Sequence, residues 1–174
     1  ALYLREGGVL ATEAPATEEA GASYIYPSPS TPTNPLPDSA DILHQLWSLP
    51  GPEQGRVVFT TPALQKDVQL LGSASLDLWL SSTAEDTDIQ ATITEVRPNG
   101  QEVYVARGWL RASKRALDAS RSTPTRPFQL HTEDSVTMLE PGEPTPMRLE
   151  IFPFAHRFRA GSALRLIIDG PVAT

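Results

Sequence analysis

From Val68 to Leu80, apolar residues recur at every second position: Val68, Leu70, Ala74, Leu76, Leu78 and Leu80, with Gly72 in the same phase. The positions between hold Gln69, Ser73, Ser75 and Asp77. A period of two sends alternate side chains to opposite faces of a strand. The pattern therefore demands a sheet with one buried face and one wetter face. Leu71 and Trp79 interrupt the polar face, which predicts that this face is partly covered. Gly72 is a candidate bulge.

A second alternation follows. Ile89, Ala91 and Ile93 are interleaved with Asp88, Gln90, Thr92 and Thr94. The turn sequence Arg97-Pro98-Asn99-Gly100-Gln101 comes next, and Asn-Gly accepts positive φ at little cost. Val103, Val105, Trp109 and Leu110 continue beyond it. The spacing predicts an antiparallel hairpin of Ile89–Val96 with Glu102–Leu110. Further strands are expected at Leu2-Tyr3-Leu4, at Met147, Leu149 and Ile151, and at Leu164 to Ile168. Arg159-Ala160-Gly161-Ser162 reads as a turn before the last of these.

Proline sharpens the division. Of 17 prolines, nine precede residue 63, five of them between Pro27 and Pro37, and only Pro98 lies between residues 63 and 123. Proline cannot donate to a ladder, so strands concentrate where it is scarce. Residues 27–37 are expected to form an extended surface loop. The one helical signal is Asp38 or Ser39 as a cap, with Ile42, Leu43, Leu46 and Trp47 on one face. Residues 113–127 read as a basic crossover. Many strands joined by long irregular connections predict an all-β fold, a jelly-roll β-sandwich.

The chain has 174 residues, which suits one domain spanning residues 1–174. It has no cysteine, which excludes a disulfide framework, a thiol nucleophile and a cysteine-ligated metal. Its net charge is −7, which argues against nucleic acid as a partner. No apolar run approaches the roughly 18–20 residues of a membrane-spanning helix, so no membrane partner is expected. The chain opens without Met and goes straight into a strand, which fits a piece of a longer protein.

Chemistry-bearing residues are scattered. Gly21-Ala22-Ser23-Tyr24-Ile25 lacks the second glycine of a nucleophile elbow and leads into the proline loop, so Ser23 reads as a strand-edge serine. His44, His131 and His156 have no metal-ligand spacing. His156 sits in an aromatic, basic cluster and reads as a packed or interface residue. Glu85-Asp86-Thr87-Asp88 could in principle ligate calcium. Without an EF-hand pattern it reads as a solvated turn. Lys114, Arg115, Arg121 and Arg126 read as a solvated loop or domain contact. Trp47, Trp79 and Trp109 could serve a lectin-like sugar platform, but tryptophan more often belongs to a core or interface. No catalytic residue, no cofactor and no metal site is expected.

Several segments together resemble a known family. They are the opening "LYLREGGVL", the stretch from Val57 to Arg115 with "FTTPAL", "SSTAEDTD" and "GWLRAS", and the stretch from Glu140 to Asp169 with "PGEP" and "FRAGSALRL". Their order and spacing resemble the C-terminal non-catalytic domain of X-Pro dipeptidyl-peptidases and cocaine esterase-like (CocE/NonD) serine hydrolases. The resemblance implies a galactose-binding-like jelly roll packed on an upstream α/β-hydrolase domain. That domain would hold the catalytic Ser, Asp and His, and no position here matches their motifs. The implied role is to cover the catalytic domain, shape the substrate cleft or support a homo-oligomer. Trp79, Phe154 and Phe158 are the expected interface residues, at least partly exposed on this piece.

Overall fold

The computed structural model describes residues 1–26 and 55–171. The proline loop, the helix expected near Ile42, and His44 and Trp47 lie outside them. Eight strands carry the fold: β1 (Tyr3–Arg5), β2 (Val9–Ala11), β3 (Arg56–Thr60), β4 (Val68–Leu80), β5 (Asp88–Val96), β6 (Glu102–Arg111), β7 (Thr145–Phe158) and β8 (Ala163–Asp169). They form two sheets, one ordered β1-β2-β3-β8-β5-β6 and the other β4-β7. Among the described residues only short 3₁₀ turns are helical. The chain is an all-β, jelly-roll sandwich.

The expected hairpin forms with Ile89 opposite Leu110 and Val96 opposite Glu102. Gly100 takes φ +82 at its tip, and the Asn99 side chain accepts a hydrogen bond from the Gln101 N–H at 3.0 Å. The turn before β8 is also as expected, with Gly161 at φ +82 and the Ser162 N–H donating to the Arg159 carbonyl. Strand β3 went unread. It is five residues long and too short to display a period.

The core lies between the sheets. Ile89, Ala91, Ile93, Ala106, Leu110, Leu166 and Ile168 face inward from one sheet. Leu76, Met147, Leu149, Ile151 and Phe158 face them from the other. Burying each large apolar side chain stabilises the fold by roughly 1.5–3 kcal/mol relative to leaving it exposed. Gly108, opposite Ala91, lets β6 approach the β7 backbone closely, because a Cβ there would be only 2.8 Å from the Glu150 carbonyl carbon. The two sheets thus nearly join along this side.

The pairing of β4 with β7 slips once. Gly72 lies opposite Phe154 and Ala74 opposite Ile151, so Phe152 and Pro153 together face Ser73. The bulge is where Gly72 pointed, with its φ at +115. The extra residue sits on β7 and reverses its phase. Before it, odd positions face the core (Met147, Leu149, Ile151). After it, even positions do, and Phe158 becomes fully buried at 0% exposure. This corrects the expectation that Phe158 is an exposed interface residue.

Strand β5 departs from its pattern as well. Gln90, Thr92 and Thr94 should face water, yet all three are buried. β5 is central, flanked by β8 and β6. Large side chains from β6 reach over its polar face: the Trp109 indole N–H donates to Gln90 Oε1 at 2.6 Å.

Candidate domain interface

Several of the described residues considered for chemistry are engaged in holding the fold. Asp86 accepts from both the Ser113 N–H (2.8 Å) and the Ser113 hydroxyl (2.7 Å), which ties the acidic turn to the crossover. Asp88 binds Arg111 through both oxygens, at 2.8 and 2.7 Å. The guanidinium is held further in its charged form by this pair. Among the described residues, no three His or acidic side chains converge to hold a metal ion. In the basic crossover, Arg115 donates to the Ala112 carbonyl, Arg126 pairs with Glu150 at 3.1 Å, and Arg121 stacks 3.3 Å from the Phe128 ring centre. Trp79 and Trp109 stand on different sheets and form no common platform.

His156 contacts a carboxylate. Its Nε2 lies 3.1 Å from Glu95 Oε2, and Glu95 also accepts from the Arg159 N–H at 3.0 Å. Glu95 occupies a core-facing position between Ile93 and the hairpin turn and is almost wholly buried. Burial pushes its carboxyl up, but hydrogen bonds from the Arg159 N–H and its neighbours outweigh that and leave it below the usual carboxylate range. The pair braces β5 against β7 and the turn before β8. Ser23 is exposed in irregular chain, and no hydrogen bond joins it to a histidine.

Aromatic surface remains where β6, the bulge of β7 and the crossover meet. Trp109 is 43% exposed and Phe152 50% exposed. Their rings meet edge-to-face with centres 5.4 Å apart. They line a groove of about 410 Å³ together with Pro127, Phe128, His131 and Lys114. Each wall has a local cause. Gln90 holds the indole, since its amide is fixed in turn by Asp169 Oδ1 at 3.1 Å. Phe152 lies on the outward face of β7, next after buried Ile151. Arg121 supports Phe128 from behind. His131 takes φ +54, uncommon for a residue with a side chain. Nearby, burial and then the Asp169 charge push the Tyr24 hydroxyl up to about 12.

Of the three expected interface residues, Trp79 is open at 71% exposure, Phe154 is half-buried against the core, and Phe158 is inside it. Trp109 and Phe152 were not expected here. Trp109 had been read as part of a regular strand. Phe152 continues the outward phase of Pro146, Arg148 and Glu150 along β7.

The fold and this surface define a β-sandwich domain that presents aromatic side chains. The domain family described as "X-Pro dipeptidyl-peptidase C-terminal non-catalytic domain" matches residues 3–172. The chain belongs to that family. It is 30% identical over 113 residues to the cocaine esterase of a Rhodococcus species, covering 60% of this chain. It spans only 19% of that relative. A solved CocE/NonD family hydrolase from Staphylococcus aureus is 31% identical with a TM-score of 0.62, over 66% of this chain and 22% of that one. An aminopeptidase from a marine sediment thaumarchaeon shares the fold over 99% of this chain and 29% of its own, with a TM-score of 0.71 and 18% identity.

Proposed function

We propose that this chain is the covering domain of a serine hydrolase whose nucleophile, base and oxyanion hole lie in an α/β-hydrolase domain outside these 174 residues. The observation that carries the reading is the match of residues 3–172 to a domain described as non-catalytic. The whole protein would acylate its serine with an ester or X-Pro amide substrate, and water would then release the acid. This domain supplies none of those groups. Its contribution is a rigid wall beside the substrate cleft.

The Trp109–Phe152 groove is the docking surface proposed for the catalytic domain. Aromatic residues dominate such contacts because they remove much area from water while ordering few torsions. A fluorophosphonate probe tests the division of labour. The full-length protein should label and the 174-residue piece should not. Labelling of the piece would overturn the reading and make Ser23 the first suspect. The groove is tested separately with Phe152→Ala and Trp109→Ala in the full-length protein. Both should raise KM or lower heat resistance of the activity. Unchanged activity and heat resistance in both would remove the groove from the interface.

A further inference from the structure

Strand β4 is thirteen residues long, and among the described residues its only ladder partner is β7. Among the described residues its other edge has no ladder partner, so the backbone donors and acceptors there are available to a further strand. Edge strands in stable proteins are normally blunted by lysine, proline or short length. β4 has none of these. Its single charge, Asp77, is held by Arg148 of β7 at 3.1 Å. Its inward leucines Leu70, Leu78 and Leu80 are only half-buried, as expected when no described strand lies beyond the edge. Leu71 and Trp79, on its outer face, are the most exposed large apolar side chains among the described residues, at 83% and 71%.

The order of the outer-face residues identifies what fits. Reading outward from Ser75, one direction gives Ser73 then Leu71, and the other gives Asp77 then Trp79. We propose that β4 pairs edge-to-edge, antiparallel, with β4 of a second copy of this chain, about a two-fold axis at Ser75. In that register Leu71 lies opposite Trp79 of the second copy, and Ser73 lies opposite its Asp77. Each contact occurs twice, as a two-fold interface requires. On the inner face Leu70 meets Leu80 and Ala74 meets Leu76. The result joins the two small sheets into one four-stranded sheet, ordered β7-β4-β4-β7. Both large exposed side chains leave water together, and no charge is placed opposite a like charge. No other register centred on an outer-face residue pairs Leu71 with Trp79. The self-pairing holds whatever the neighbouring domain catalyses.

The test uses the full-length protein. Leu71→Cys and Trp79→Cys variants are prepared separately, then mixed and oxidised gently. Opposed positions across an antiparallel pair lie within disulfide reach. Two copies of residue 71 would be eight residues apart along the strand, about 26 Å, and cannot bridge. The mixture should give a covalent dimer whose linked peptide joins residue 71 to residue 79, while neither variant alone gives a 71–71 or 79–79 link. The Trp–Leu contact at the second site stays intact in the mixed dimer. Leu71→Lys, which alters a side chain the folded monomer does not use, should weaken self-association at least about tenfold in sedimentation experiments. A protein that stays monomeric because another segment occupies the edge would overturn the proposal. So would equal crosslinking of the unmixed variants, or a dimer unaffected by Leu71→Lys.

Discussion

Replacing Gly108 by alanine tests how the two sheets are held together. Gly108 lies on the core face of β6, and the added Cβ would sit 2.8 Å from the Glu150 carbonyl carbon and 3.1 Å from the Ile151 Cα. It would also fall well inside the van der Waals contact distance of the Glu150 carbonyl oxygen. Carbon atoms settle at about 3.5–4.0 Å, so β6 and β7 must part by about 1 Å. No flexible side chain can yield, because every atom in the way is backbone. Glu150 is itself locked opposite Ser75 in the β4–β7 ladder. Overpacking typically costs 1–3 kcal/mol when side chains can adjust. Here the expected loss is at least about 3 kcal/mol, or about 6–12 °C in Tm for a chain of this size. Urea unfolding of wild type and variant measures it. Gly142→Ala is the control: that glycine has φ +88 but open space around its missing Cβ, so only the backbone penalty of about 1 kcal/mol applies. A loss below about 1 kcal/mol for Gly108→Ala would refute the close approach.

Phe158→Ala should destabilise by about 3–5 kcal/mol, because the ring is fully buried. Trp79→Ala, measured at protein concentrations where the chain is monomeric, should change stability by less than about 0.5 kcal/mol. Reversal of that order in thermal melts would contradict the phase change along β7. Glu95→Gln should cost about 1–3 kcal/mol near neutral pH, since it weakens charge-assisted bonds to the Arg159 N–H and His156. The carboxyl of Glu95 is depressed in the fold, so its stabilising effect is complete above the unfolded value of about 4.3 and fades as pH falls through the lower folded value. The gap between wild type and Glu95→Gln should therefore close in strong acid. A gap that stays constant in chemical melts from pH 7 to pH 2 would show that the charge contributes nothing.

The long alternations were legible because each strand buries one face against the other sheet. The β5–β6 hairpin could be placed to within one residue at its open end, since Asn99-Gly100 fixes its turn, though the register shift between Ile93 and Thr94 was not legible. Two further departures were not legible, for different reasons. The bulge at Phe152-Pro153 is a property of a pair of strands, and the partner's register cannot be read from β7 alone. The burial of Gln90, Thr92 and Thr94 depends on Trp109 and Arg107 lying across a neighbouring strand. The interface expectation failed in part through the first of these. The alternation set at Met147 would leave Phe158 outward, and the bulge turns it inward.

The last strand in the chain order is a middle strand of the sheet. β8 is bonded on one side to β3, with Arg56 opposite Asp169, and on the other to β5. A ribosome releasing this chain therefore exposes β3 and β5 with a gap between them until residues 163–169 emerge. Until then the larger sheet exists as two separate halves, each with an open edge facing the gap. Synthesis runs at about 5–20 residues per second, and sheets built from distant segments close slowly. The nascent domain is thus open to misassociation until β8 arrives, and a stop before residue 163 would leave that state permanent.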